Sequence, residues 1–333
     1  MPVDPTKTAL VSQYKHTSPL ISCRIDPTGT YAFAGAQDNT IVRWELADPE
    51  KKPTLLVGHG TWVRALGFSP DGATLFAGAY DGQLLWWPVA GDEPKPQRAV
   101  AAHTGWVRAL AVSPDGKLVA TCGNDNLVKL WNAADGALVR EQPGHASHVY
   151  NVAFHPGGGV MASADLKGIV KIWTVADGAE IRQLEAPELH KYDATFCADI
   201  GGARAMQFSP DGKLLAAGGM TNCSNAFAGI GNPLVVVFDW EQGQPAGQHK
   251  GQEAINAVIW GLAFHPDGFL MGASGGGSGG RLFFWKHGTP DEFFKLQLPN
   301  TARDLAMHPD QQRVAIAHHD STLRLYRIDA PVA

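Results

Sequence analysis

The sequence predicts an all-β fold: a seven-bladed β-propeller of four-stranded antiparallel blades, with the last blade completed by the N-terminal strand. Three observations predict it. A short phrase recurs at Pro27, Pro70, Pro114, Pro156, Pro210, Pro266 and Pro309: an apolar residue, a small or polar residue, Pro, then usually Asp or Gly. A large aromatic follows the Pro by 17 positions at Trp44, Trp87, Trp131, Trp173 and Tyr326, and a His precedes it by 11 at His16, His59, His103 and His145. Between these markers, short apolar runs such as VRALGF and TLFAGAY alternate with Asp-Gly and Pro-Asp-Gly turns, and no long stretch has a helical period.

Each repeat therefore holds four strands. Strand a precedes the Pro, b follows it, c ends at the aromatic and d leads to the next His. The intervals between prolines are 43, 44, 42, 54, 56 and 43, so repeats five and six carry extra chain. There the aromatic comes late, as Phe238 and Trp285, and the histidines are His190 and His249. The seventh repeat ends after strand c, TLRLYRI, while residues 8–15 sit where a strand d belongs, just before His16. A blade cannot bury both faces alone, but stacked and closed blades can. We therefore expect one domain over 1–333, with residues 8–15 closing the blade formed by 301–330.

Composition narrows the function. There are 27 Lys and Arg against 32 Asp and Glu, a net charge of −5, which gives no general pull toward nucleic acid or an anionic membrane. The opening MPVDPTKTALVSQYKH has no basic segment followed by an apolar run, and no apolar stretch is long enough to span a bilayer. The four cysteines show no CxxC pattern, so we expect reduced thiols and a cytoplasmic protein, with Cys23 and Cys122 packed inside strands.

The seven copies, spread over about residues 8–329, resemble the WD-repeat family. The Trp-Asp dipeptide itself is replaced by Trp44-Glu45, Trp131-Asn132 and Trp173-Thr174. The resemblance implies a hydrogen-bonded set of His, Ser or Thr, Asp and Trp inside each blade. The third repeat fills every slot with His103, Thr121, Asp125 and Trp131. The first two put Ala34 and Ala77 in the hydroxyl slot but keep Asp38 and Asp81. The fourth keeps Ser163 and has Lys167 where the Asp is expected, and Asp320 survives in the seventh.

The resemblance also implies a non-catalytic scaffold or adaptor that binds a protein or peptide, needs no cofactor and is monomeric by itself. The extra chain of repeats five and six falls in the d-to-a and b-to-c loops, which share one face, the top. Equivalent slots near the channel mouth on that face hold Arg64, Arg108, Arg204 and Arg303, with Tyr150 and Trp260. Neighbouring slots add Trp62, Trp106 and His148, and Gln37, Tyr80, Asn124 and His319. These are interface residue types, and Arg suits an acidic group. Against them stands the reading that the arginines pair with turn carboxylates. Cys197 and Cys223 lie in the two fifth-blade insertions and could form a thiol pair.

The alternative function is a propeller enzyme, a metal-dependent lactonase or other hydrolase, which needs carboxylates or His at the channel mouth. His318-His319-Asp320 has metal-ligand residue types, but strand neighbours point to opposite faces. Gly272-Ala273-Ser274-Gly275-Gly276 and Gly276-Gly277-Ser278-Gly279-Gly280 match G-x-S-x-G, yet they join two strands rather than a strand and a helix, so we expect a flexible glycine turn.

Overall fold

The computed structural model of the chain describes residues 3–225 and 230–329, with the backbone alone at 225 and 230. Seven four-stranded antiparallel sheets follow one another along it. Blade 1 is Leu20–Ile25, Tyr31–Ala36, Thr40–Glu45 and Thr54–Val57; blade 2 is Val63–Phe68, Thr74–Ala79, Gln83–Pro88 and Arg98–Ala101. Blade 3 is Val107–Val112, Leu118–Gly123, Val128–Asn132 and Leu138–Gln142; blade 4 is Val149–Phe154, Val160–Asp165, Ile169–Thr174 and Glu180–Glu185. Blade 5 is Ala205–Phe208, Leu214–Asn225, Ile230–Asp239 and Gln244–Lys250; blade 6 is Val258–His265, Phe269–Gly276, Gly279–Lys286 and Phe294–Leu298. Blade 7 is Ala302–Met307, Arg313–His318 and Thr322–Arg327, with Ala9–Lys15 as its outer strand. The fold is a seven-bladed β-propeller, as the repeat predicts. By packing, the blades fall into two compact units, one of blades 7, 1, 2 and 3 and the other of blades 4, 5 and 6.

The recurring phrase is a turn with its own hydrogen bonds. In blade 2, Ser69 Oγ donates to Asp71 Oδ1 at 2.5 Å and accepts from the Thr74 amide at 2.9 Å. Ser113 with Asp115 and Ser209 with Asp211 repeat the arrangement in blades 3 and 5. These hydroxyl bonds hold the three exposed carboxyls below their ordinary pKa. Where His replaces Ser, its ring does the same work and adds a bond between blades. His155 Nδ1 accepts from the Gly157 amide at 2.9 Å, and Nε2 donates to the Gly212 carbonyl of blade 5 at 3.1 Å. His308 likewise reaches the Gly29 carbonyl of blade 1 at 3.1 Å.

The N-terminal strand lies antiparallel on Thr322–Arg327, with Tyr14 opposite Leu323. Tyr14 is almost wholly buried, and its hydroxyl donates to the Leu46 carbonyl of blade 1 at 2.9 Å. One strand thus completes blade 7 and fastens it to blade 1, through a shared core that includes Leu20, Trp44, Ala315 and Leu325.

The described parts of the fifth-repeat insertions are largely regular structure. The d-to-a connection of blade 5 holds a single 3₁₀ turn, Pro187–Leu189, and a two-stranded sheet, His190–Asp193 with Ala198–Gly201. The b-to-c insertion lengthens both strands of that hairpin; part of the stretch read as inserted, residues 226–229, lies outside the described residues. In blade 6 the G-x-S-x-G stretch is the b-to-c hairpin, with Gly276 opposite Gly279. Two of its glycines, Gly276 and Gly280, allow close packing. A Cβ at Gly276 would stand 2.7 Å from the Asn256 carbonyl oxygen, and one at Gly280 would overlap that of Asn300. Ser274 is fully buried within its strand, not presented at a sharp turn.

Candidate functional site

Blades 3 and 4 contain the full polar set. In blade 3, Trp131 Nε1 donates to Thr121 Oγ1 at 2.9 Å, which lies 2.8 Å from His103 Nε2; His103 Nδ1 meets Asp125 at 2.8 Å. The consistent proton order is Trp to Thr to neutral His to carboxylate, which satisfies every buried group. Blade 4 repeats this with Trp173, Ser163, His145 and Asp165. That corrects the sequence reading, which placed Lys167 in the acidic slot. The carboxylate is Asp165, and its other oxygen accepts from the Lys167 and Ile169 amides of the turn.

Blades 1 and 2 show what Ala34 and Ala77 cost. His16 keeps Asp38, at 2.7 Å through Nε2, and Trp44 turns to the Lys15 carbonyl at 3.3 Å. In blade 2 both ring nitrogens of His59 and Nε1 of Trp87 are buried without a hydrogen bond. Burial pushes the His59 pKa down to about 4, with Asp81 opposing. In blade 7, Asp320 takes a two-pronged bond from Arg324, at 3.0 and 2.7 Å. His318 is buried and His319 exposed, so the pair faces opposite ways. Among the described residues no group of three or more His, Cys, Asp and Glu could hold a metal ion.

The strand-a slot residues share a backbone feature. Ile21, Arg64, Arg108, Tyr150 and Trp260 each fall at a shift of register between strands a and b of their blade. A β-bulge leaves one residue unpaired and re-aims its side chain, which sets these positions apart from the packed strand.

In blades 2 and 3 an aromatic ladder stands in the loops next to these strands. Tyr80 lies between Trp62, 6.0 Å away, and Trp106, on which it stacks at 4.0 Å with planes 5° apart. The Arg108 guanidinium sits 4.3 Å over the other part of the ladder, the Trp106 ring, and its Nε donates to Asn124 Oδ1 at 2.7 Å. Trp62 and Trp106 are 42% and 39% exposed, unusual for the largest apolar side chain. Arg64 is turned differently. Its Nη1 donates to the Ile21 carbonyl and, at 3.4 Å, to that of Arg303, so it braces blades 1 and 7.

The second unit has a similar trio. The Arg204 guanidinium lies 4.1 Å from the Tyr150 ring centre and 5.7 Å from that of Trp260. Trp260 donates to the Gly275 carbonyl at 3.1 Å. His148 is half-buried, its carbonyl taken by the Leu166 amide at 2.9 Å. Beside this trio the blade 5 insertion exposes Tyr192 and Phe196, at 55% and 45%, which no sequence signal had singled out.

All four thiols are free. Cys197 is exposed at the tip of the blade 5 insertion, whereas Cys223 is buried against Ile200, Met220 and Val258, and burial raises its pKa. Cys23 and Cys122 are wholly buried, which suppresses their ionisation further.

The WD domain, G-beta repeat family matches residues 8–45, 50–88, 94–132 and 136–174, which are the first four repeats. The matched family together with the seven blades places the chain in the WD-repeat family of β-propellers. Blades 5 and 6, with the insertions, lie outside the matched residues. A comparison with curated proteins returns no match. No helix among the described residues is long and apolar enough to cross a membrane.

Proposed function

We propose that the chain is a non-catalytic protein-interaction scaffold, and that its partner docks on the ladder of Trp62, Tyr80, Trp106 and Arg108. The observation that carries this is the exposure of two tryptophans that flank Tyr80, one of them stacked on it. Rigid aromatics lose little conformational entropy on binding, and aromatic and Arg residues dominate interface energetics. The Arg108 guanidinium favours an acidic group on the partner, with an apolar side chain set against Trp62. WD-repeat propellers are typically such scaffolds, which supports the coarse reading. Tyr150, Arg204 and Trp260, with exposed Tyr192 and Phe196, offer the same chemistry in the second unit. A monomer in the cytoplasm, with all of 1–333 as one domain, belongs to the same proposal.

Affinity capture with quantitative mass spectrometry tests it. The wild type is compared with the Trp62→Ala, Trp106→Ala, Arg108→Gln triple variant and with Leu138→Ala, an exposed apolar residue on an outer strand of blade 3. The proposal expects the captured partner to be lost from the triple variant alone. Equal capture by all three proteins contradicts it.

A further inference from the structure

We propose that the seam between blades 5 and 6 is a binding site for a planar apolar ring bearing one N–H, of the indole type. A cavity of about 330 Å³ opens there, within the size range of small-molecule sites, about 300–1,000 Å³. The chain itself supplies the template for its occupant. Trp240, two residues past the strand-c aromatic Phe238, fills the equivalent seam between blades 4 and 5. Its ring sits edge-on to His155 at 5.4 Å and to Phe208 at 6.0 Å, and its Nε1 donates to the Gly212 carbonyl at 2.6 Å.

Each part of that nest has a counterpart one blade on. Phe264 stands for Phe208 and Gly268 for Gly212, each at the same distance from its turn proline. The two glycines share a left-handed backbone, φ +75° and +86°, in turns closed by the same bond, Gly212 N to Ser209 O and Gly268 N to His265 O. The equivalence therefore covers the carbonyl as well as the walls. Two parts are missing. His287 occupies the position of Trp240 and is exposed, and Ser209 occupies that of His155 and is too short to cross the seam.

A second observation shows that the space is open. A Cβ on the turn glycine meets the preceding blade at Gly29 (His308, 2.6 Å), Gly72 (Pro27, 3.5 Å) and Gly116 (Pro70, 2.8 Å), and at Gly212 it would overlap His155. At Gly268 it meets nothing within 4 Å. Among the described residues no side chain donates to the Gly268 carbonyl. The cavity thus pairs apolar walls, including Val237, Leu270 and Phe269, with an acceptor placed where the internal indole uses one. His249, whose pKa burial pushes below the ordinary value, is bonded through Nδ1 to the Thr289 carbonyl at 2.8 Å and adds a flat polar wall.

Titration calorimetry of the full chain with indole tests the site, beside 1-methylindole, which lacks the donor. Saturable one-to-one binding of indole is expected, with 1-methylindole about tenfold weaker because the carbonyl is left unpaired. His287→Trp, which rebuilds the Trp240 arrangement, and Ser209→His, which rebuilds the His155 cover, should each abolish indole binding, and His287→Trp should raise the melting temperature. N-Acetyltryptophanamide separates the sources: its binding assigns the ring to a partner's tryptophan, its exclusion to a free small molecule. Absence of saturable indole binding, or unchanged binding in both folded variants, overturns the proposal. Equal affinity for 1-methylindole overturns the role of the Gly268 carbonyl.

Discussion

Tyr80 lies flat on Trp106, their ring centres 4.0 Å apart and their planes within 5°. The two residues come from different blades, and the Arg108 guanidinium lies over the Trp106 ring, which stays 39% exposed. Removing the middle rung should release both tryptophans. Tyr80→Ala is expected to weaken partner binding at least tenfold, about 1.4 kcal/mol, while Tyr80→Phe binds as the wild type. Binding isotherms with the captured partner measure both.

Three buried groups of blade 2, both ring nitrogens of His59 and Nε1 of Trp87, are unsatisfied, and Ala77 stands where Thr121 satisfies two of their counterparts in blade 3, the third being met by Asp125. Ala77→Ser should supply the missing link between His59 and Trp87 and stabilise the fold by about 1 kcal/mol. Thr121→Ala should orphan His103 and Trp131 and destabilise it by about 2 kcal/mol. Urea unfolding of the two variants gives both signs in one experiment.

His59 also sets a pH dependence. Its pKa is about 4 in the fold against 6.5 when unperturbed, because burial disfavours the imidazolium more than Asp81 favours it. Between these values the unfolded chain binds a proton that the folded chain does not. Stability is therefore full above about pH 6.5 and is lost as pH falls toward 4, by about 3 kcal/mol from this group. His249, shifted the same way by burial, adds to the loss. Unfolding free energies near pH 7.5 and about pH 4.5 should differ less in His59→Leu than in the wild type, with a residual slope from His249.

The outer strand of blade 7 comes from the other end of the chain, so its removal should open the fold at one place. Deleting residues 1–15 is expected to lower the melting temperature sharply. Tyr14→Phe, which loses only the bond to the Leu46 carbonyl, should cost about 1 kcal/mol. Calorimetric scans of the two proteins rank the strand against the single bond; an unchanged transition after the deletion contradicts the closure.

The repeat was legible because every blade needs the same turn, the same c-strand aromatic and the same strand spacing. Ser69, Asp71 and their equivalents show why the phrase recurs: it is a self-bonded turn. The N-terminal strand was legible because blade 7 is one strand short and Ala9–Lys15 has no other partner in phase. Offsets failed where the backbone departs from them. Asp165 sits two positions ahead of the expected slot because the fourth b-strand delivers it from its last residue. The slot residues Arg64 and Arg108 look alike in sequence, yet Arg64 bonds backbone carbonyls while Arg108 bonds the Asn124 side chain and lies over Trp106. The open seam depends on a missing pair of side chains, Trp240 replaced by His287 and His155 by Ser209, and on how far the blades stand apart, which no spacing reports.

Photo-crosslinking from position 62 tests the central claim most directly, because it reads contact at the ladder itself. With Trp62→p-benzoylphenylalanine, and the same residue at Leu138 as a control, irradiation in cell extract should join the partner to position 62 only, and an added Arg108→Gln should remove that product. Crosslinks of equal yield from both positions, or a partner joined to 138 and never to 62, would contradict a scaffold that binds through Trp62, Tyr80, Trp106 and Arg108.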